Sequence, residues 1–365
     1  MNPASPRSRP DPSVGLDRAL ELIAAGAADR DAEPEPAFPD EPIALLEHTG
    51  ALRFNALPGA ARPPAGHELA LVRRVARADG SVGRILDGHL NGVERLAVQG
   101  PPELRERELE AVRDGALRFG VWGGDPVPGE GPPASLTVVH RSEVLRGVKT
   151  FCSGAGGLDR ALVLARAPDG RAPVSVWIDV SDSSRVEVDE TWYRSHGLRA
   201  SVSHRVVFRD APVLARFGPP GSIAASPWFG RDALRTAATW AGMADSALDA
   251  AMAELAGRPR RGPLEGLAAG RMLTAHRTIE LWIDRGATVM DTGGAELDAV
   301  ALHARAAISD ACRVLLDEAA RACGSRPFAR GGTLDRARRD LEVFLLQHRL
   351  DQLLARAGEA ALELL

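Results

Sequence analysis

The sequence predicts an α+β protein that is mostly α, with helices at both ends and a small β-sandwich or barrel between them. Apolar residues recur with helical spacing up to about residue 118 and again after residue 223. The segments between are short, rich in valine and separated by glycine and proline. These patterns divide the chain into a disordered tail (1–15), a helical domain (16–118), a β domain (119–222) and an antiparallel four-helix bundle (223–365).

The N-terminal helices are predicted from amphipathic stripes and from breaks at proline and glycine, at 16–28, 43–48, 68–78, 82–96 and 103–117. The helix at 82–96 carries His89 on the same stripe as Val82, Leu86 and Val93. A histidine on an apolar stripe is either a buried, hydrogen-bonded core residue or a functional side chain.

The strands of the β domain are predicted at valine-rich runs, namely 136–140, 161–165, 174–180, 186–188 and 202–208. Pro168-Asp169-Gly170 separates two of these runs and is typical of a hairpin turn. The bundle helices are predicted at 232–255, 264–292, 296–323 and from 333 to the end.

Composition excludes several classes of function. A net charge of −4 does not favour nucleic acid or a membrane surface, and no apolar run approaches the 18 residues of a membrane span. Three cysteines without a CxxC pair or a histidine cluster predict neither a disulfide framework nor a metal site. Residues 1–13 lack the apolar core of a signal peptide, so we expect a cytoplasmic protein.

One stretch stands out, because Lys149 is the only lysine and a run of small residues follows it, from Ser153 to Gly157. Small side chains let a large, flat ligand approach the backbone. The same run is also compatible with a glycine-rich hairpin that binds nothing.

Several motifs, in order, resemble those of the acyl-CoA dehydrogenase superfamily of flavoproteins, over residues 16–365. They are Asp79-Gly-Ser81-Val-Gly83, Gly147-Val-Lys149-Thr-Phe151-Cys-Ser153-Gly-Ala155, the segment from Trp192 through Gly197-Leu-Arg199 to Ser203, Val206-Val-Phe208-Arg-Asp210, Gly324-Ser325 and Arg339-Asp340.

The resemblance implies a flavin, FAD or alternatively FMN, between the β domain and the bundle. Phe151, Cys152 and Ser153 would run along the flavin ring, with Ser153 at its N5 edge. Gly324 and Ser325 would contact a neighbouring subunit's cofactor, which implies a homodimer or homotetramer. Arg199 and Ser203 belong to a motif whose role, structural or functional, stays open.

Two departures from the family pattern matter. The flavin-contacting loop expected near 120–131 lacks the family motif, although Trp122 remains a candidate cofactor contact. The catalytic glutamate of the family's Tyr-Glu-Gly motif is replaced by His348, between Gln347 and Arg349.

These departures leave three functions open. The first is CH–CH dehydrogenation of an acyl-CoA or similar thioester, with electrons passed to an electron-transfer flavoprotein. Asp232 would then be the base, unless it is only a helix N-cap. The alternative is a monooxygenase that takes FMNH2 or another reduced flavin from a flavin reductase and uses His348, His89 and Ser153. The third is an inactive family member that serves as a binding partner.

Overall fold

A computed structural model describes residues 15–56, 62–167, 170, 172–347 and 350–363. The chain forms two compact units. Unit 1 comprises described residues within Met1–Pro63, Arg84–Arg194 and Arg199–Ala225, and unit 2 those within Pro64–Gly83, Ser195–Leu198 and Ser226–Leu365. The sequence-based domain boundaries follow the order of helices and strands along the chain, and they stay a prediction.

The predicted N-terminal helices are confirmed, with a break at Gly26 that divides the first one. They are α1 (Leu16–Ala25), α2 (Ala27–Ala32), α3 (Asp40–His48), α4 (Ala65–Ala78), α5 (Gly80–Gln99) and α6 (Pro102–Arg113).

The start of α5 explains the first family-like motif. Asp79 Oδ1 accepts hydrogen bonds from the backbone N–H groups of Ser81 (2.9 Å) and Val82 (3.2 Å), so its carboxylate caps the helix. Gly83 lies so close to α4 that a Cβ atom there would stand 2.6 Å from Ala76 Cα. The motif therefore sets the angle between α4 and the first turn of α5.

The β domain in unit 1 is a barrel. Its strands are β1 (Phe119–Trp122), β2 (Ser135–Val139), β3 (Ser142–Cys152), β4 (Arg160–Arg166), β5 (Pro173–Asp179), β6 (Val186–Asp189) and β7 (His204–Arg216). Pairing runs β4–β2–β3–β7–β5 and returns from β5 to β4, which closes the ring, while β1 pairs with β4 and β6 with β7. Closure removes sheet edges that would otherwise be exposed.

The antiparallel pairing of β4 with β5 confirms the predicted hairpin, whose turn residues 168, 169 and 171 lie outside the described residues. The last strand was predicted to end at 208 but continues to Arg216. Polar residues such as Arg209 and Asp210 interrupt the apolar run there, although the strand continues with alternating burial. Trp177 anchors the core of unit 1, edge-on to Phe119 at 4.8 Å and stacked on Phe217 at 5.1 Å.

Unit 2 contains the bundle, in which α7 packs against α8, α9 and α11. The helices are α7 (Trp228–Ala256), α8 (Pro263–Thr292), α9 (Leu297–Cys323), α10 (Arg326–Ala329), α11 (Thr333–Leu345) and α12 (Leu350–Leu362). The prediction of one continuous helix from 333 to the end was wrong, because α11 ends at Leu345 and α12 begins at Leu350. Neither proline nor glycine occurs between them to signal the interruption.

Three of the family-like motifs meet at Asp340 in unit 2. Its Oδ1 accepts a hydrogen bond of 2.6 Å from the Leu198 N–H, and a Cβ atom on Gly80 would stand 3.0 Å from its Oδ2. Gly197 is packed so tightly that a Cβ atom would lie 2.1 Å from the Arg339 carbonyl oxygen. These motifs are therefore at least partly requirements of packing.

Two clusters of buried or partly buried charges in unit 2 are ion pairs. Arg235 is fully buried, and its Nε donates to Glu68 Oε1 at 2.8 Å. Arg73 binds both carboxylate oxygens of Asp245, at 2.7 and 2.8 Å, and His276 Nε2 lies 2.9 Å from Asp245 Oδ1. Burial raises the pKa of Asp245, but the hydrogen bonds with His276 and Arg73 outweigh it and bring the pKa below its ordinary value.

Candidate functional site

The end of β3 carries an aromatic residue, Phe151, and two residues later a serine, Ser153. Phe151 has a φ angle of +53°, rare for a residue with a side chain, and its side chain is 61% exposed. The register of β3 against β7 shifts between Lys149 and Cys152, an irregularity that re-aims side chains. Ser153 follows as the half-buried first residue of the turn. A large apolar ring left exposed at a strained position indicates a binding surface.

The hydroxyl of Ser153 belongs to a row of three, which we call the hydroxyl row: Ser153, Ser203 and Ser201. Ser153 Oγ lies 2.9 Å from Ser203 Oγ, which lies 2.8 Å from Ser201 Oγ. Ser201 is fully buried, and Ser203 is nearly so. The Gly154 N–H also donates to the Ser201 carbonyl at 2.8 Å, which ties the turn to this segment.

Trp122, a predicted cofactor contact, lies inside unit 1 with 1% of its surface exposed. Its Nε1 donates a hydrogen bond of 3.1 Å to the Ser153 carbonyl oxygen. The indole therefore supports the turn from the protein interior and acts on the site through the backbone of Ser153.

Cys152, also predicted at the site, points its side chain into the core, where burial raises the pKa of the thiol. A thiol in that state is a poor nucleophile. Only the backbone of Cys152 is therefore suited to contact a ligand.

Lys149 holds the neighbouring loop in place. Its side chain is 2% exposed, and its ammonium group donates to Asp125 Oδ1 (2.8 Å) and to the Gly123 carbonyl oxygen (3.1 Å). The Thr150 N–H donates to the Gly124 carbonyl oxygen at 3.0 Å. The loop that lacks the family motif is thus attached directly to the end of β3.

Trp192 packs against Phe151 at the exposed side of the site. The sequence analysis named Trp192 only as part of a family-like motif. The Trp192 ring meets Phe151 edge-on, with centroids 5.0 Å apart, and its Nε1 donates to Glu130 Oε1 at 3.0 Å. Glu130 also accepts at Oε2 from the Val127 N–H. The loop around Glu130 therefore positions the aromatic pair.

His89, a predicted catalytic residue, is 1% exposed and has both ring nitrogens engaged by the backbone. Its Nδ1 accepts from the Phe119 N–H at 3.0 Å, so Nε2 carries the proton and donates to the Leu52 carbonyl oxygen at 2.8 Å. Burial lowers the pKa of His89 to about 4. The geometry favours the core interpretation, and a catalytic role stays a prediction.

His204 is a histidine that the sequence analysis did not single out. It follows Ser203 directly, is 5% exposed and meets the Tyr193 ring edge-on at 6.3 Å. Burial lowers the pKa of His204, and its Nδ1 has no hydrogen-bond partner among the described residues.

The remaining predicted site residues belong to unit 2 or lie outside the described residues. Asp232 lies inside α7, four residues after Trp228, the first residue of the helix, so the interpretation of Asp232 as the N-cap was wrong. The Asp232 Oδ1 atom is 3.4 Å from Arg235 Nη1. Gly324 ends α9 with a φ angle of +73°, and Ser325 precedes α10. His348 lies outside the described residues.

The residues at the end of β3 fit a flat redox ring better than a metal ion. Among the described residues, no group of three His, Cys, Asp or Glu side chains could hold a metal. The site offers an exposed aromatic face at Phe151 and a hydroxyl at Ser153. It also offers open backbone, since a Cβ atom on Gly156 would meet no described atom within 4 Å. A hydroxyl beside an open stretch of backbone is suited to the edge of a flavin ring.

None of the described helices combines the length and the apolarity needed to span a bilayer. No known family model matches the sequence, and no curated protein matches it.

Solved structures match the fold over nearly the whole chain. FMN-bound TdsC from Paenibacillus sp. A11-2, a dibenzothiophene monooxygenase, is 21% identical, with 94% of this chain and 95% of that chain covered and a TM-score of 0.82. Methanesulfinate monooxygenase MsuC from Pseudomonas fluorescens is 20% identical, with coverage of 96% and 98% and a TM-score of 0.81. Nitrososynthase from Micromonospora carbonacea var. africana is 22% identical, with 94% of each chain covered and a TM-score of 0.78. The chain thus has the acyl-CoA dehydrogenase fold, and the predicted α+β class is confirmed.

Proposed function

We propose that this protein is a flavin-dependent monooxygenase that oxidises a small organic molecule with O2 and reduced flavin. The observation that carries the proposal is the exposed Phe151 at the end of β3, followed two residues later by the half-buried Ser153. It is supported by the likeness in fold to TdsC, which has been solved with FMN bound and with FMN and indole together.

The proposal replaces the dehydrogenase as the leading interpretation of the sequence. The position of the family's catalytic glutamate is His348, and the other candidate base, Asp232, is engaged by the Arg235 guanidinium at 3.4 Å. A carboxylate in an ion pair is poorly suited to remove a weakly acidic proton from a thioester. The similar solved structures named as monooxygenases also favour the alternative that the sequence left open.

The residues at the end of β3 have distinct roles in this proposal. Ser153 donates a hydrogen bond to the flavin edge, Phe151 covers part of the ring, and Trp122 fixes the Ser153 backbone from behind. His348 is our candidate proton donor or acceptor, because it occupies the position of the family's catalytic glutamate in the sequence. We assign His89 a structural role, because both of its nitrogens are already hydrogen-bonded.

FMN fits the proposal better than FAD, since TdsC binds FMN. When bound, reduced flavin would supply the two electrons that reduce O2, with one oxygen atom entering the substrate and the other leaving as water. The enzyme would then need a flavin reductase as partner, and a homodimer or homotetramer remains our expectation for its assembly.

The first experiment measures flavin binding and O2 chemistry with the full chain. FMN and FAD are titrated by fluorescence quenching, and reduced FMN from a purified reductase is then supplied with O2 and a panel of aromatic and sulfur-containing substrates. We expect FMN binding and products that contain one atom from 18O2. Anaerobic bleaching of bound oxidised flavin by acyl-CoAs would instead establish a dehydrogenase, and failure to bind either flavin would favour a binding partner.

Two variants separate the candidate bases. We expect His348→Ala to lower the rate of product formation about 100-fold, a typical effect for loss of a positioned acid–base group. Asp232→Asn, which keeps the shape of its side chain, should change it by less than about threefold, since Asp232 has no role in this reaction. The reverse ranking of the two variants would contradict the assignment of His348.

A further inference from the structure

We infer that Ser201 and Ser203 are positioning residues that fix the direction of the Ser153 hydroxyl, so that its proton points away from the protein and toward the bound flavin. This inference rests on the proposed function, because it gives the outward proton a partner at the flavin edge. It also assigns a role to Ser203, for which the sequence left structure and function open.

The first step is the geometry of the hydroxyl row. The two oxygen–oxygen distances, 2.9 Å and 2.8 Å, are those of good O–H···O hydrogen bonds. Each serine hydroxyl carries one proton to donate and can accept through its oxygen. Two hydrogen bonds in a row of three hydroxyls therefore use two of three protons.

The second step decides which proton is left over. Ser201 is 0% exposed, and among the described residues the only hydrogen-bond partner of its Oγ is Ser203 Oγ. A buried donor without an acceptor is unfavourable, so the Ser201 proton goes to Ser203. Ser203 is only 6% exposed, so by the same reasoning its proton goes to Ser153 and not to an empty site. The proton of the half-buried Ser153 is the one left over.

The third step is the strength of the resulting donor. Hydrogen bonds in a chain polarise one another, so a hydroxyl that accepts a hydrogen bond becomes a better donor. Ser153 accepts from Ser203, which accepts from Ser201. The row thus prepares Ser153 as a donor, whereas a lone serine could turn its proton back toward the backbone.

The backbone holds this arrangement. The Gly154 N–H donates to the Ser201 carbonyl at 2.8 Å, and Trp122 Nε1 donates to the Ser153 carbonyl at 3.1 Å. Both bonds link the turn after β3 to its surroundings. They fix the Ser153 backbone while the neighbouring hydroxyls set the orientation of its proton.

The experiment uses FMN labelled with 15N at N5, bound to the full-length protein, because a hydrogen bond to this nitrogen moves its NMR signal upfield. We expect the upfield displacement in the wild type, its loss in Ser153→Ala and a partial loss in Ser203→Ala. Ser203→Thr, which keeps the hydroxyl, should restore it. FMN affinity should fall about fivefold in Ser153→Ala, as expected for one hydrogen bond.

A matched control is Ser184→Ala, which removes an exposed hydroxyl of unit 1 that donates to Asp182 and should leave the signal unchanged. Ser203→Cys, nearly isosteric and a weak donor, provides a second variant if Ser203→Ala does not fold, and an intermediate displacement is expected. If folded Ser203→Ala or Ser203→Cys binds FMN and gives the same N5 signal as the wild type, the inference about the hydroxyl row is wrong, whereas the proposed function is not affected. Failure of the wild type to bind FMN would instead overturn the proposed function.

Discussion

The charged clusters of unit 2 and the hydroxyl row of unit 1 are both buried polar groups. The clusters are ion pairs, whereas the row is neutral and ends at the half-buried hydroxyl of Ser153. Both oxygens of Asp245 accept hydrogen bonds from Arg73, and Glu68 accepts from the buried Arg235. The row of Ser201, Ser203 and Ser153 carries no charge and keeps one proton in excess. Polar groups that satisfy one another stabilise a fold, whereas a row with an unused donor is suited to a ligand.

The largest effect on stability is expected when Glu68 is changed to Gln. The substitution removes the closer carboxylate of the fully buried Arg235 and leaves the longer contact to Asp232 Oδ1 at 3.4 Å. Loss of one member of a buried ion pair costs about 3–5 kcal/mol in the free energy of unfolding. Urea denaturation followed by circular dichroism measures this change. Glu21→Gln, which breaks the exposed pair with Arg18, is the control and should show no measurable change. Equal stability of the two variants would show that the cluster does not stabilise unit 2.

His89 is expected to give the next largest effect, and one that depends on pH. Its pKa is lowered from 6.5 to about 4 in the folded protein, so between these values the unfolded chain binds more protons than the folded one. The stabilisation is fully present above pH 6.5 and is lost as the pH falls toward 4, by about 3 kcal/mol in total.

His89→Gln, which cannot be protonated, provides the comparison. The difference in unfolding free energy between wild type and variant should shrink as the pH is lowered from 7 to 4, as measured by urea denaturation at each pH. A difference that stays constant across this range would mean that His89 is not held neutral by its surroundings.

The smallest effects on stability are expected in the hydroxyl row, and they should be unequal. Ser203→Ala leaves the buried Ser201 proton without an acceptor, which costs about 1–3 kcal/mol. Ser201→Ala removes only one hydrogen bond and strands no donor, so about 1 kcal/mol is expected. Thermal unfolding of the two variants tests this order. A larger loss of stability in Ser201→Ala than in Ser203→Ala would indicate that the hydrogen bonds run in the opposite direction, from Ser153 to Ser201.

Much of the fold was predictable because helical and strand periodicities are local properties of the sequence. The stripe on α5 and the valine-rich runs identified α5 and five strands of the barrel. The last strand extends eight residues beyond its predicted end, and none of the predicted runs covers β1 or β3. The interruption between Leu345 and Leu350 was not predictable, since no residue with a special backbone preference marks it.

The candidate site was predictable only in its local part. The glycine-rich stretch pointed to Phe151 and Ser153, but Ser201 and Ser203 lie about fifty residues further along the chain. They reach Ser153 because β3 pairs with β7, with Cys152 opposite His204. The apolar stripe on α5 likewise could not reveal the backbone partners of His89, which are Leu52 and Phe119. These hydrogen bonds occupy both ring nitrogens of His89.

The burial of Lys149 has a practical consequence for work with this protein. It is the one lysine in the sequence, and its ammonium group is closed off by Asp125 and the Gly123 carbonyl oxygen. Amine-directed cross-linkers, dyes and immobilisation chemistries therefore find no accessible side-chain amine on the folded chain. Modification of Lys149 by such a reagent reports that the loop at 123–125 has opened from the end of β3.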